Sequence, residues 1–279
     1  MAVINRVLSQ SFLESFKLDF KNLIRIVNDS HGELDLAIRD NYLNLYYKGN
    51  SLAQISPRSE NQYKINIHQK FFSGTKADDP QFYLTKSESG SYMSILLDGE
   101  KTPLRFMQKA HIDQFCLRVK QVNYSEEITF EQMLMTDNMD REDLIIIDRQ
   151  VVDKIARGKI DLLALKQIKA RENRYQFLVM EVKMGNNPEL MGAVAKQLKR
   201  YKAHICEYIE DYARCYEQQY VQKRELGILG ANMPKNVRIE NEVIGLVLVG
   251  GYSKIASASI FELKKEYPDI EVKQFKYLL

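Results

Sequence analysis

Apolar residues fall into helical spacing at the start of the chain, where Leu8, Phe12, Phe16, Phe20, Leu23 and Ile26 mark one stripe and predict a helix within residues 3–28. From Glu33 the pattern changes to alternation: Leu34, Leu36 and Ile38, then Leu43, Leu45 and Tyr47, and later Tyr63, Ile65 and Ile67. Turn-forming residues at Asp40-Asn41, Lys48-Gly49-Asn50 and Pro57 to Asn61 separate these runs, so the segment predicts an antiparallel sheet. Residues 73–90 are rich in Ser, Gly, Asp and Lys and predict an exposed connection. A strand at Tyr92 to Leu97 and a helix over 103–121 follow, with a domain boundary near Val122 to Glu126.

Beyond that boundary helices and strands are mixed. Phe130 to Met135 predicts a helix and Asp143 to Asp148 an apolar strand; residues 160–168 and 175–184 form two more strands around the polar turn Ala170 to Arg174. After Pro188 the positions Val194, Leu198, Tyr201, Ile205, Tyr208, Tyr212 and Cys215 keep a four-three spacing. One straight helix through 189–224 would run about 50 Å. It must therefore bridge to the first domain, break, or pair with a second copy as a homodimer. Val243 to Val249 suits a strand buried on both faces, and a helix (256–266) and a strand (270–276) close the chain. The domains expected are 1–124, for substrate positioning or regulation, and 125–279.

Composition narrows the class without fixing it. With 279 residues, 45% of them hydrophobic, the chain can bury one large core or two smaller ones. A net charge of +3 neither demands nor forbids a polyanionic partner, so local clusters must decide. Cys116, Cys206 and Cys215 are odd in number and contain no Cys-x-x-Cys pair, which argues against a disulfide framework and a structural zinc site. Reduced thiols, no signal-peptide core and no run of about 18 apolar residues predict a cytoplasmic protein with no membrane partner.

The candidate chemistry lies between Lys159 and Tyr201. Glu-x-Lys occurs three times, at Glu181-Lys183, Glu262-Lys264 and Glu271-Lys273, and only the first ends a strongly apolar strand. The pleat puts Glu181 and Lys183 on one face. A hairpin turn centred near residue 171 or 172 sets Asp161 opposite 181–183, although a slip of one residue would turn it to the other face. Two carboxylates are hard oxygen ligands for Mg²⁺ or Mn²⁺, which can acidify a water and offset charge on a phosphate. Lys183 beside them stays protonated and can serve the nucleophile or the transition state. Gln197 and Tyr201, one helical turn apart, share a face; an amide can hold a water or a phosphate oxygen, and a phenol can touch a nucleic-acid backbone. The competing account makes Glu181 and Lys183 a surface ion pair and Tyr201 a core residue. Lys196, Lys199, Arg200 and Lys202 form a basic cluster suited to phosphates, or an ordinary solvated helix face.

The run Ile160-Asp161-Leu-Leu-Ala-Leu, then Met180-Glu181-Val-Lys183, then Gln197-Leu-Lys-Arg-Tyr201 resembles the PD-(D/E)XK nuclease superfamily, in its RecB-like branch with a Gln-x-x-x-Tyr helix. The resemblance covers about residues 125–255. It implies an α/β fold with a restriction-endonuclease-like mixed sheet flanked by helices, here preceded by an α+β domain with an antiparallel sheet. It also implies a metal held by Asp161, Glu181 and Val182, with Lys183, Gln197 and Tyr201 completing the site. A helix glutamate joins them in that family; Glu131 is the candidate and Glu127 its rival. Ile160 stands where the family's nominal proline would precede Asp161. The expected activity is metal-dependent cleavage of nucleic-acid phosphodiesters, DNA in preference to RNA. Two alternatives remain: a non-catalytic nucleic-acid-binding or assembly protein that keeps the fold, and a metal-dependent enzyme acting on another phosphate ester.

Overall fold

The computed structural model describes residues 3–99, 101–122, 125–153, 158–168, 173–230 and 232–276. The chain divides into two compact units: Asn5–Ser125 with Val221–Ala231, and Met1–Ile4 with Glu126–Tyr220 and Asn232–Leu279. Among the described residues no helix is long and apolar enough to cross a membrane.

The first unit opens on two helices, α1 (Gln10–Asp19) and α2 (Lys21–Asp29), where the apolar stripe predicts one. The break is Phe20, whose backbone leaves the helical region (φ −108°, ψ 18°) while its ring stacks on Phe16 and meets Tyr63 edge-on. There follow β1 (Leu34–Ile38), β2 (Leu43–Tyr47), β3 (Asn50–Ser59), β4 (Gln62–His68), α3 (Gln69–Phe72), β5 (Thr85–Ser89), β6 (Tyr92–Asp98), α4 (Lys101–Phe106) and α5 (Lys109–Val122). The strands form one antiparallel sheet in the order β1-β2-β3-β4-β6-β5.

Two strands depart from the sequence pattern. Pro57, expected in a turn, lies inside β3 opposite Tyr63. The pairing of β2 with β3 ends at Leu43–Ile55, so Pro57 has a strand on one side only and its missing N–H costs no ladder bond on the other. Thr85–Ser89 pairs at the sheet edge with all five residues exposed, and so carries no apolar alternation to predict it.

The second unit contains α6 (Glu126–Asp137), β7 (Leu144–Asp153), β8 (Gly158–Gln167), β9 (Arg174–Met184), a 3-10 turn (Pro188–Met191), α7 (Ala193–Glu207), α8 (Ile209–Glu225, shared at Tyr220 with the first unit), β10 (Arg238–Gly250), α9 (Ser253–Glu266) and β11 (Glu271–Phe275). Its mixed sheet runs β11-β10-β9-β8-β7, antiparallel from β7 to β9 and parallel from β9 to β11. The fold of this unit is thus α/β with a mixed five-stranded sheet flanked by helices, and that of the first is α+β with an antiparallel sheet.

Alternate residues of the strands serve different helices. Leu162, Ala164, Leu178, Met180, Val182 and Leu248 gather around Phe130 and Leu134 of α6. Phe177, of opposite parity, packs edge-on against Tyr212 and Tyr216 of α8. Two glycines of β10 let helices close in: a Cβ at Gly250 would lie 2.8 Å from the Phe130 ring, and one at Gly245, on the other face, 2.9 Å from Leu198 of α7. The single long helix does not form. It breaks at Tyr208 (φ −116°, ψ 30°), and the buried row then shifts to Tyr212, Tyr216 and Tyr220. These three rings are buried within the chain.

Candidate active site

The β8–β9 hairpin brings the acids together. Its pairs run from Gln167–Tyr175 to Leu162–Met180, the register of a turn centred on residue 171, and this places Asp161 across from Glu181. Pairing stops there. From Leu162 toward Gly158, β8 stays with β7, whereas β9 continues along β10 to Met184–Gly250, so the two strands part at Asp161. Asp161 Oδ2 fills the gap by accepting the Val182 N–H at 2.9 Å. On the other side of Asp161, the β7 pairing steps from Arg149–Leu162 to Val151–Ile160 across Gln150, a non-glycine residue in the left-handed region (φ 51°). Irregular backbone on both sides of one carboxylate is a common mark of a functional site.

Lys183 lies in the middle of this opening. Its Nζ is 3.2 Å from Glu189, 3.5 Å from Asp161, 3.7 Å from Glu181 and 3.9 Å from Glu127. Asp161, Glu181 and Lys183 are all buried, whereas the members of the two other Glu-x-Lys pairs are exposed. Burial separates the one site from its two sequence look-alikes, and the surface ion-pair account fails for Glu181 and Lys183.

One ammonium cannot balance four carboxylates, and the titration of the group reflects it. Burial, then the charge of Asp161, pushes the Glu181 carboxyl up to about 9 despite Lys183. Burial pulls Lys183 down, but Asp161, Glu127, Glu181 and Glu189 together carry it above the ordinary lysine value. Glu127 is raised, chiefly by burial, with Lys183 opposing. Among the described residues, the buried Glu181 Oε1 and Gln197 Oε1 have no hydrogen-bond partner.

The helix glutamates divide the work. Glu127 reaches Lys183 and accepts from Asn187 at 3.2 Å. Glu131, one turn later, is held instead by Arg149 at 3.2 Å and by Gln150, whose Nε2 donates to both carboxylate oxygens at 2.8 and 2.9 Å. Burial, then Asp161, raises Glu131 to about 7 against the pull of Arg149 and Gln150. So the rival, Glu127, is the one that touches the lysine.

Tyr201 takes the core position that its place on the apolar stripe allows. It is buried, and its hydroxyl accepts the Lys159 N–H at 3.0 Å, two residues before Asp161, with its ring against Gly158. It pins the entry of β8. The basic cluster also divides. Lys196 and Arg200 flank the Gln197–Tyr201 edge, while Lys199 pairs with Asp269 and Lys202 packs along Gly245 on the other edge. Gln197 lies on α7 with no described bond to the acids.

Glu189, Asn187, Arg149 and Gln150 escaped the sequence reading. The signal for the first two was Asn187-Pro188-Glu189: an Asn cap and a proline at the first helical position fix a 3-10 turn directly after the lysine strand. Arg149 and Gln150 carried none, because a bulge between Ile146 and Asp148 shifts the register of β7.

Comparison with protein-family models, curated proteins and solved structures finds no match to this chain. Among the described residues no group of three or more His, Cys, Asp and Glu side chains is disposed to hold a metal ion. Asp161 and Glu181 nonetheless fit Mg²⁺ or Mn²⁺: both offer oxygen ligands, and Glu181 Oε1 is a buried acceptor without a donor among the described residues. Mg²⁺ is ordinarily held by one or two carboxylates, with waters and a substrate phosphate supplying the rest.

Proposed function

We propose that this chain is a metal-dependent nuclease of the PD-(D/E)XK type that hydrolyses nucleic-acid phosphodiesters, DNA rather than RNA. The observation that carries this reading is the buried Asp161–Glu181–Lys183 group at the parting of β8 and β9, with one carboxylate oxygen left without a donor. The order of motifs along the sequence supports the family; the preference for DNA rests on that resemblance alone.

In this reading Asp161 and Glu181 hold Mg²⁺ or Mn²⁺, with Val182 as the third position of that set. Bound there, the ion would lower the pKa of a water and offset phosphate charge. Asp161 is oriented by the Val182 N–H. Lys183, protonated and ringed by acids, supplies a fixed positive charge for the attacking water or the phosphate oxygens. Glu127 or Glu131 adds a carboxylate from α6. In this reading Lys196 and Arg200, on the Gln197 edge of α7, meet the nucleic-acid backbone.

The test incubates the purified protein with linear, circular and single-stranded DNA and with RNA, in Mg²⁺, Mn²⁺ or EDTA, beside Asp161→Asn and Lys183→Met. Cleavage in metal, none in EDTA and a loss of at least about 100-fold in both variants is the expected result. Wild type that cuts no substrate hands the reading to a non-catalytic nucleic-acid-binding protein. Variants that cut as well as wild type put the site elsewhere.

A further inference from the structure

The shortest ion pair of Lys183 is with a residue outside the sheet. Glu189 belongs to the 3-10 turn Pro188–Met191 that follows β9, and its carboxylate lies 3.2 Å from Lys183 Nζ. Of the four acids around the ammonium, Glu181 and Asp161 are buried, with side chains 2% and 9% exposed, whereas Glu127 and Glu189 are 31% and 42% exposed. Glu189 is the least buried and the nearest.

Its placement is built rather than incidental. Asn187 Oδ1 accepts the Glu189 N–H at 2.9 Å, while Asn187 Nδ2 donates to Glu127 at 3.2 Å. One amide therefore fixes the turn that carries Glu189 and ties it to the helix glutamate. The turn itself cannot drift far: Leu190 is fully buried, the Asn187 N–H bonds the Met184 carbonyl at 2.9 Å, and the Gly185 N–H bonds the Gly250 carbonyl at 2.9 Å. A Cβ at Gly185 would collide with the Gly251 carbonyl and with Ala256.

A lysine side chain is long, with four rotatable bonds, and three donor directions. If Asp161 and Glu181 direct oxygens toward a cation, their hold on the ammonium weakens, and a carboxylate with no cation to hold must keep Lys183 in place. We infer that Glu189, presented by Asn187, is a positioning residue that holds the Lys183 ammonium from the solvent side of the site; the catalytic meaning of this rests on the nuclease reading above.

The test compares wild type with Glu189→Gln, Glu189→Asp and Asn187→Ala by three measurements: the ¹⁵N–¹H signal of the Lys183 ammonium in the presence of Mg²⁺, Mn²⁺ affinity by calorimetry, and DNA cleavage kinetics. The inference expects the Lys183 signal to broaden or vanish in Glu189→Gln and Asn187→Ala. It expects kcat to fall about tenfold with KM within about twofold, Mn²⁺ affinity to stay within about threefold, and Glu189→Asp to recover part of the loss. A tenfold loss of Mn²⁺ affinity would make Glu189 a metal ligand, and faster cleavage would make it a latch over the site; either result overturns the inference, as does unchanged kcat. Should wild type cleave nothing, the nuclease reading fails by itself. The ammonium signal then decides the inference: unaltered in Glu189→Gln it is wrong, and lost in both variants it stands for whatever chemistry Lys183 performs.

Discussion

Burial, and after it the charge of Asp161, bears hardest on Glu181. Its carboxyl rises from the ordinary 4.5 to about 9, so the folded chain binds that proton more tightly than the unfolded one. The stability this contributes is fully present below about pH 4.5 and is lost as pH rises toward about 9. Glu127 and Glu131 act in the same direction. Urea denaturation of the metal-free protein should therefore give lower stability at pH 9 than at pH 6. Glu181→Gln should flatten that slope and exceed wild type at pH 9, and Mn²⁺ should restore wild type at the higher pH; a wild-type curve that rises with pH would show that burial and neighbouring charge do not raise these carboxyls. Tyr201 gives a second test at this scale. Tyr201→Phe keeps the ring on Gly158 but loses the acceptor for the Lys159 N–H, costing about 1 kcal/mol and slowing cleavage several-fold. DNA affinity should not change, which an equilibrium binding assay in Ca²⁺ checks. Sequence could name Asp161, Glu181 and Lys183 because an apolar strand and a counted hairpin fix their faces. It could not show which way a tyrosine on an apolar stripe spends its hydroxyl, nor that Glu189 would turn back onto Lys183, since both depend on where a turn or helix lands.

The elements divide by how much their neighbours decide them. Strands β8 and β9 were legible from runs of apolar residues, because a strand buried on both faces needs no partner to look like one; β10, expected to be the same over Val243 to Val249, is fully buried only from Val247 and half-buried from Val243 to Leu246. Strand β5 was not, since an exposed edge strand of Thr, Lys, Ser and Glu has the composition of a loop and exists through its bonds to β6. The break at Tyr208 was hidden by an uninterrupted apolar stripe, and only the shift of the buried row to Tyr212, Tyr216 and Tyr220 accounts for it. Helix α6 was found, but its seat on Gly250 was not. That seat makes an element-scale prediction. In Gly250→Ala the new methyl would lie 2.8 Å from the Phe130 ring, and the ring must move, carrying with it the helix that presents Glu127 and Glu131. The expected cost is about 1–3 kcal/mol of stability together with a loss of cleavage larger than stability alone explains, measured by denaturation and by kinetics at a temperature where the variant is fully folded. Full activity in a folded Gly250→Ala would mean that α6 contributes no side chain to the reaction.

At the scale of the molecule, the chain's order along the sequence and its division in space differ. Sequence alone places the boundary between residues 124 and 125 and leaves everything after it together. Residues Val221–Ala231 instead belong with Asn5–Ser125. The physical reasons are local and strong: Leu226 is buried in that unit's core, Gln222 donates to the Leu8 carbonyl and accepts the Leu8 N–H, each at 2.8 Å, and Asn28 donates to the Gly227 carbonyl at 3.0 Å. The two bonds between Gln222 and Leu8 occupy both backbone groups of one residue, as a paired strand would. No periodicity in either segment announces a side-chain amide imitating a strand more than two hundred positions away. A fragment starting at residue 125 therefore retains every strand of the mixed sheet and the Asp161–Glu181–Lys183 group, but strips Leu226 and Gln222 of their partners. The segment 221–230 should then lose amide protection by hydrogen exchange and the fragment should self-associate through the bared Leu226, while strands β8 to β10 remain protected as in the full chain. Equal protection of 221–230 in fragment and full chain would show that this segment is held by the second unit, and that the division in space follows the sequence after all.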